Sequence, residues 1–107
     1  MFAYNAVCVM GFKDVKGQVL ACLASGNIQH EQRQAIDVKN LLVTGQVSED
    51  DVSSIIARAK GNEYELSKHH VVSKIDVHIL KTRYQGQSWY IKWYFIEPDS
   101  VFISVHH

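Results

Sequence analysis

Residues Ser88–His107 read SWYIKWYFIEPDSVFISVHH. Two runs rich in aromatic and β-branched side chains flank the polar step Glu97-Pro98-Asp99-Ser100, the pattern of two antiparallel strands joined by a turn. Trp89, Ile91, Trp93 and Phe95 recur at every second position, as do Val101, Ile103 and Val105, so both sets are expected on a buried side. For both to face one core the connection must keep side-chain parity, because a slip of one residue turns every side chain over. A three-residue loop, Pro98-Asp99-Ser100, meets that condition and sets Trp93 opposite Val105 and Lys92 opposite His106.

Upstream, Lys74-Ile75-Asp76-Val77-His78-Ile79 alternates as a half-buried strand, with Ile75, Val77 and Ile79 expected inward. Tyr84-Gln85-Gly86 supplies another three-residue loop, with Gly86 at the left-handed position, and pairs Ile79 with Ile91 and His78 with Lys92. This register predicts a row of His78, Lys92 and His106 on the polar side of three strands. Asp76, Tyr94 and Ser104 form the next row, and Tyr90 stands beside it opposite Leu80.

Before Gly61 the period is helical. Val15, Val19, Cys22 and Leu23 share one face of a helix over 12–25 that Gly26 ends. A second helix is expected over 30–44, with Ala35, Val38, Leu42 and Val43 inward and Gly45 as its stop. A third opens at Ser48 with Asp51 three residues on, an approximate capping box, buries Val52, Ile55, Ile56 and Ala59, and ends at Gly61. Glu49, Asp50 and Asp51 suit the positive end of that helix without any metal. Phe2, Tyr4, Val7 and Val9 suggest an N-terminal edge strand. Helices followed by an antiparallel meander indicate an α+β fold, with helices on one sheet face and a C-terminal three-stranded meander.

The chain of 107 residues is 47% apolar and 21% charged, enough for one core, so residues 1–107 are read as a single domain. Eleven basic residues balance eleven acidic ones, so attraction to nucleic acid must come from local clustering. Cys8 and Cys22 sit in apolar contexts without CxxC spacing, as buried thiols of a reducing compartment do. The apolar start spans about ten residues without a basic leader, against a signal peptide and far short of a membrane span. A cytoplasmic protein without a membrane partner is expected.

A sheet face carrying cations and aromatic rings can hold phosphates and stack bases, and an imidazole near neutrality can move the proton of a ribose 2′-hydroxyl. The plain alternative is a solvated sheet side, where Lys, Tyr, His and Ser are ordinary. His69-His70 lies just before the strand and could add acid–base groups. A zinc site from His78, His106 and Asp76 has suitable residue types, but no HxH, HxxxH or HExxH spacing supports it. GxGxxG, GxxxxGK[ST] and GxSxG are absent, which removes the usual nucleotide-binding and α/β-hydrolase readings.

Taken in order, FKDVKGQVLACLASGNI, VSEDD, KIDVHI, GQSWYIKWYFI and VFISVH resemble successive segments of the motility quorum-sensing regulator toxins. This is the MqsR family of bacterial mRNA interferases, related in fold to RelE-type ribonucleases, and the resemblance runs from about Phe12 to His106. It implies a metal-independent RNA endoribonuclease that needs no cofactor, takes RNA as substrate and is restrained by a protein antitoxin. The family's proposed catalytic tyrosine falls on Tyr90, the lysine of the same motif on Lys92 and the closing basic residue on His106. The helix lysine falls on Ser54, the glutamine before Asp-Val on Ile75, and His78 replaces the motif tyrosine.

His78, Tyr90, Lys92 and His106 are therefore the candidate catalytic residues, with Lys74, Tyr94, Lys81 and Arg83 as RNA contacts. Competing readings are a non-catalytic protein-interaction or nucleic-acid-binding domain on the same scaffold, which Ser54 and Ile75 favour, and a homodimer joined through the N-terminal strand.

Overall fold

In the computed structural model, which describes residues 11–31, 40–69 and 71–107, the helices form where the 3.6-residue spacing puts them. Helix α1 (Phe12–Ser25) buries Val15, Val19, Cys22 and Leu23, and Gly26, at φ 77°, ends it by turning its N–H onto the Cys22 carbonyl. Helix α2 (Glu49–Arg58) starts at a reciprocal capping box: Asp51 N–H donates to Ser48 Oγ at 3.0 Å, and Ser48 N–H donates to Asp51 Oδ2 at 2.9 Å. Val52, Ile55 and Ile56 are buried on α2, with Ala59 just beyond it. The Lys16 ammonium of α1 donates to the Ala57 and Ala59 carbonyls, at 3.1 and 2.9 Å, and so caps the C-terminus of α2 with positive charge.

These helices cover one face of a five-stranded sheet: β1 (Ile28–His30), β2 (Tyr64–Lys68), β3 (Asp76–Tyr84), β4 (Gln87–Ile96) and β5 (Asp99–His106), ordered β1-β5-β4-β3-β2. Strands β3, β4 and β5 are the expected antiparallel meander, β2 pairs antiparallel with β3, and β1 lies parallel to β5. The chain is α+β.

The second helix expected over 30–44 is replaced at both ends. His30 closes β1, Asn40 bridges Val105 in parallel, and Leu41 N–H donates to the Val105 carbonyl at 2.8 Å. Asn40 Oδ1 accepts from the N–H groups of Leu42 and Val43 at 3.2 Å each, a side-chain turn that competes with helix. Leu42 is buried as expected, whereas Val43 is exposed, and Gly45 serves a turn with φ 83°. Ala35 and Val38 lie outside the described residues, as does the N-terminal strand expected around Phe2–Val9.

Both hairpins turn in two residues, not three. Gln85 and Gly86 occupy the left-handed region at φ 52° and 82°, the type I′ geometry whose twist matches that of the strands, so Tyr84 pairs with Gln87. His78 then faces Trp93, Ile79 faces Lys92 and Leu80 faces Ile91, which inverts the expected parity of β3. Glu97-Pro98, a cis peptide, forms the second turn, and Ile96 pairs with Asp99. A bulge between Lys92 and Trp93 leaves Ile103 without an opposite residue, so Trp93 pairs with Phe102 but Lys92 with Ser104.

The main core joins Leu80, Trp89, Ile91, Trp93, Phe102 and Val105 of the sheet to Val15, Val19, Leu23, Val52, Ile55 and Ile56 of the helices. Val77, Ile79 and Ile103, expected inward, instead form a second cluster on the other face with Tyr90 and Tyr94 packed against it. Val101, opposite Tyr94, is on that side too. Cys22 is a buried free thiol whose Sγ lies 3.5 Å from the Pro98 carbonyl.

Candidate functional site on the second sheet face

The alternation that buries Trp89, Ile91 and Trp93 sends Tyr90, Lys92 and Tyr94 to the face away from the helices. Because of the bulge, His106 arrives opposite Tyr90 and Ser104 opposite Lys92, while Lys81 flanks Tyr90 on β3. One row is therefore Lys81, Tyr90 and His106; the next is Ile79, Lys92 and Ser104. The Tyr90 and His106 rings are stacked, with centroids 5.2 Å apart and planes 30° apart. Lys92 is diagonal to His106 on the same face.

His78 does not join this row. Its pairing with Trp93 turns it to the helix side, where it is 7% exposed among Tyr64, Trp93 and Phe95, with ring centroids at 5.9, 5.7 and 5.0 Å. Burial pushes its pKa down from 6.5 to about 4, against the opposing pull of the Asp76 carboxylate. The imidazole is thus neutral at pH 7, and its Nδ1 shares a hydrogen bond with the Tyr64 hydroxyl at 2.7 Å. Burial, and then Asp76, raise the Tyr64 phenol, which keeps that hydroxyl protonated. Asp76 also leaves its expected row beside Tyr94 and Ser104, since it pairs with Lys68 on β2 and forms a 2.6 Å ion pair with it.

A zinc ion shared by His78 and His106 is excluded by their opposite faces. Among the described residues no group of three His, Cys, Asp or Glu side chains is placed to hold a metal.

The expected RNA contacts separate. Lys81 and Arg83 are exposed on the second face: Lys81 lies 3.6 Å from Glu65, and Arg83 donates to Ser88 Oγ at 3.1 Å and the Gly86 carbonyl at 3.3 Å. Both contacts are surface interactions that a polyanion can displace. Lys74 is exposed in the loop between β2 and β3. Tyr94 instead donates to Glu31 Oε1 at 3.2 Å.

That carboxylate belongs to a cluster that alternation did not predict. His69 Nε2 lies 2.8 Å from Glu31 Oε1, and the two side chains are only 8% and 15% exposed. His69 Nδ1 accepts the N–H groups of Val71 and Val72 at 3.1 Å each, so the ring proton sits on Nε2 and donates to Glu31. The signal was half visible: His69-His70 stood out, but Glu31 lay in a segment read as helical. His70 lies outside the described residues.

The fold and this face together define an α+β protein with a meander that presents a mixed cationic and aromatic surface opposite its helices. No protein-family model matches the chain, and no curated protein is significantly similar to it in sequence. Among the described residues, no helix is long and apolar enough to cross a membrane.

Proposed function

We propose that the chain is a toxin-type endoribonuclease that cleaves single-stranded RNA without a metal ion or cofactor, on the face carrying Tyr90, Lys92 and His106. The observation that carries this reading is the stacked Tyr90–His106 pair with Lys92 one row away on the same face. A base stacked beside those rings gains about 1–3 kcal/mol, and Lys81 and Arg83 line the backbone's approach.

In the reaction, the His106 imidazole takes the proton of the 2′-hydroxyl as O2′ attacks the neighbouring phosphorus. Lys92 balances the charge of the phosphorane, and the P–O5′ bond breaks. The leaving 5′-oxygen takes a proton from the Tyr90 hydroxyl, to which the imidazolium returns one. The products are a 2′,3′-cyclic phosphate and a 5′-hydroxyl. Such an enzyme works in the cytoplasm and is restrained by a protein antitoxin that covers this face.

Purified protein in EDTA is expected to cut a single-stranded RNA. Lys92→Ala and His106→Ala should each lower the rate by ~10²-fold or more with the unfolding midpoint kept. Intact RNA, in that assay and after abundant expression in cells, overturns the proposal. A second reading, a non-catalytic nucleic-acid-binding or protein-interaction domain, is favoured by Ser54 and Ile75 at the family's functional positions and by His78 inside the core. Binding of RNA without cleavage would select its nucleic-acid branch.

A further inference from the structure

Strand β2 ends the sheet, and its main chain is half unused among the described residues. The β2–β3 register continues from Lys68↔Asp76 to His69 and Ile75, where His69 N–H donates to the Ile75 carbonyl at 2.9 Å. Antiparallel strands alternate hydrogen-bonded and non-bonded pairs, so Ser67 and Glu65 also turn their main-chain groups to β3. Tyr64, Leu66 and Lys68 must turn theirs outward. Tyr64 confirms the phase independently, because its N–H points away from β3 into the 3₁₀ turn Gly61–Glu63, onto the Gly61 carbonyl. Among the described residues, Leu66 N–H and C=O, Lys68 N–H and C=O, and Tyr64 C=O are left along the edge.

Edge strands are normally blunted by charge, but on β2 the charges are matched inside the chain: Glu65 lies beside Lys81 and Lys68 beside Asp76. At the centre stands Leu66, a large apolar side chain that is 55% exposed.

We infer that β2 pairs antiparallel with β2 of a second copy of this chain, about a two-fold axis at Leu66. In that register Leu66 faces Leu66, Tyr64 faces Lys68 and Glu65 faces Ser67 of the second copy. No directly opposite pair carries like charges. Four main-chain hydrogen bonds close the interface: two between the Leu66 residues, and two from Lys68 N–H to Tyr64 C=O. The outward phase of Leu66 is the one a hydrogen-bonded self-pair requires, and the two leucines leave water against each other. The interface is isologous and closes at two copies. It is distinct from the face proposed to bind RNA, and it sets two such faces on the same side of one continuous sheet.

Sedimentation of the full chain over a concentration series tests this. The mass is expected to rise from 12.2 kDa towards twice that value. Leu66→Pro removes a donor that β3 does not use, a substitution an edge strand tolerates, and should leave the circular dichroism unchanged while holding the chain monomeric. Ser67→Lys places an ammonium opposite Glu65 of the second copy on both sides of the axis, and should tighten association about threefold or more. A wild-type chain that stays monomeric at every concentration overturns the inference, as does a dimer that survives Leu66→Pro unweakened.

Discussion

The two faces of the sheet carry the same kinds of side chain and put them to opposite uses. On the helix side, His78 is enclosed by rings, held neutral and bonded to Tyr64. On the other side, the His106 ring stacks on Tyr90, with Lys92 one row away. Trp93 and Lys92 are sequence neighbours divided between the same two environments: Trp93 is fully buried and Lys92 only partly. Residue type therefore says little about role here; the side of the sheet decides it.

The contrast breaks most sharply at that adjacent pair. Trp93→Ala should cost about 3–5 kcal/mol, enough to unfold a large share of a domain of this size, whereas Lys92→Ala should stay within ~0.5 kcal/mol in a urea titration. If the two substitutions destabilise equally, the sides of β4 are wrongly assigned.

Acid separates the faces next. His78 is harder to protonate folded than unfolded, so the unfolded chain binds more protons between pH 6.5 and about 4. Its contribution to stability is complete above about pH 6.5 and is lost as the pH falls through that window, by roughly 1–3 kcal/mol allowing for solvent screening. Unfolding midpoints measured from pH 7 to pH 4 should show this slope, His78→Phe should flatten it, and Lys92→Ala should leave it in place.

Tyr64→Phe removes the hydroxyl that is hydrogen-bonded to His78 Nδ1 and keeps the ring that stacks on Phe12 at 4.9 Å. The expected loss is about 1–2 kcal/mol by thermal unfolding, with the proposed cleavage of RNA on the second face unaffected. The smallest effect belongs to the turn that sets the parity of β3. Gln85 occupies the left-handed region at φ 52°, where Asn is better accommodated, so Gln85→Asn should stabilise by about 0.5 kcal/mol. A loss of stability there would count against the two-residue turn.

The periodic parts of the fold were legible in the sequence. Val15, Val19, Cys22 and Leu23, then Val52, Ile55 and Ile56, announce two amphipathic helices, and Ser48 with Asp51 marks where α2 begins. Trp89, Ile91 and Trp93 announce the buried side of β4. Pairing was less legible because Tyr84-Gln85-Gly86 suits either a three-residue loop or a two-residue turn around Gln85-Gly86. The run Val77-His78-Ile79-Leu80 is buried at all four positions and so contains no alternation from which to choose a side. Asn40 hid a turn inside a segment with helical spacing, because its side chain satisfies the backbone that a helix would have used. Of the candidate residues, Tyr90, Lys92 and His106 keep one face, and His78 leaves it by a single step of register.

Ile103 gives that register a further meaning. It is the one residue of β5 that inserts without an opposite number, and everything after it is shifted by one place. Deleting Ile103 would close the bulge and leave Ser104, Val105 and His106 opposite Lys92, Ile91 and Tyr90, whereas pairing Ile103 with Lys92 would exchange the sides of Val105 and His106, driving an imidazole into the helices and a valine onto the second face. The bulge thus acts as a phase inverter near the end of the chain. Without that extra unpaired place in the strand, a surface histidine would become a core one without altering a single side chain of the rest of the sheet.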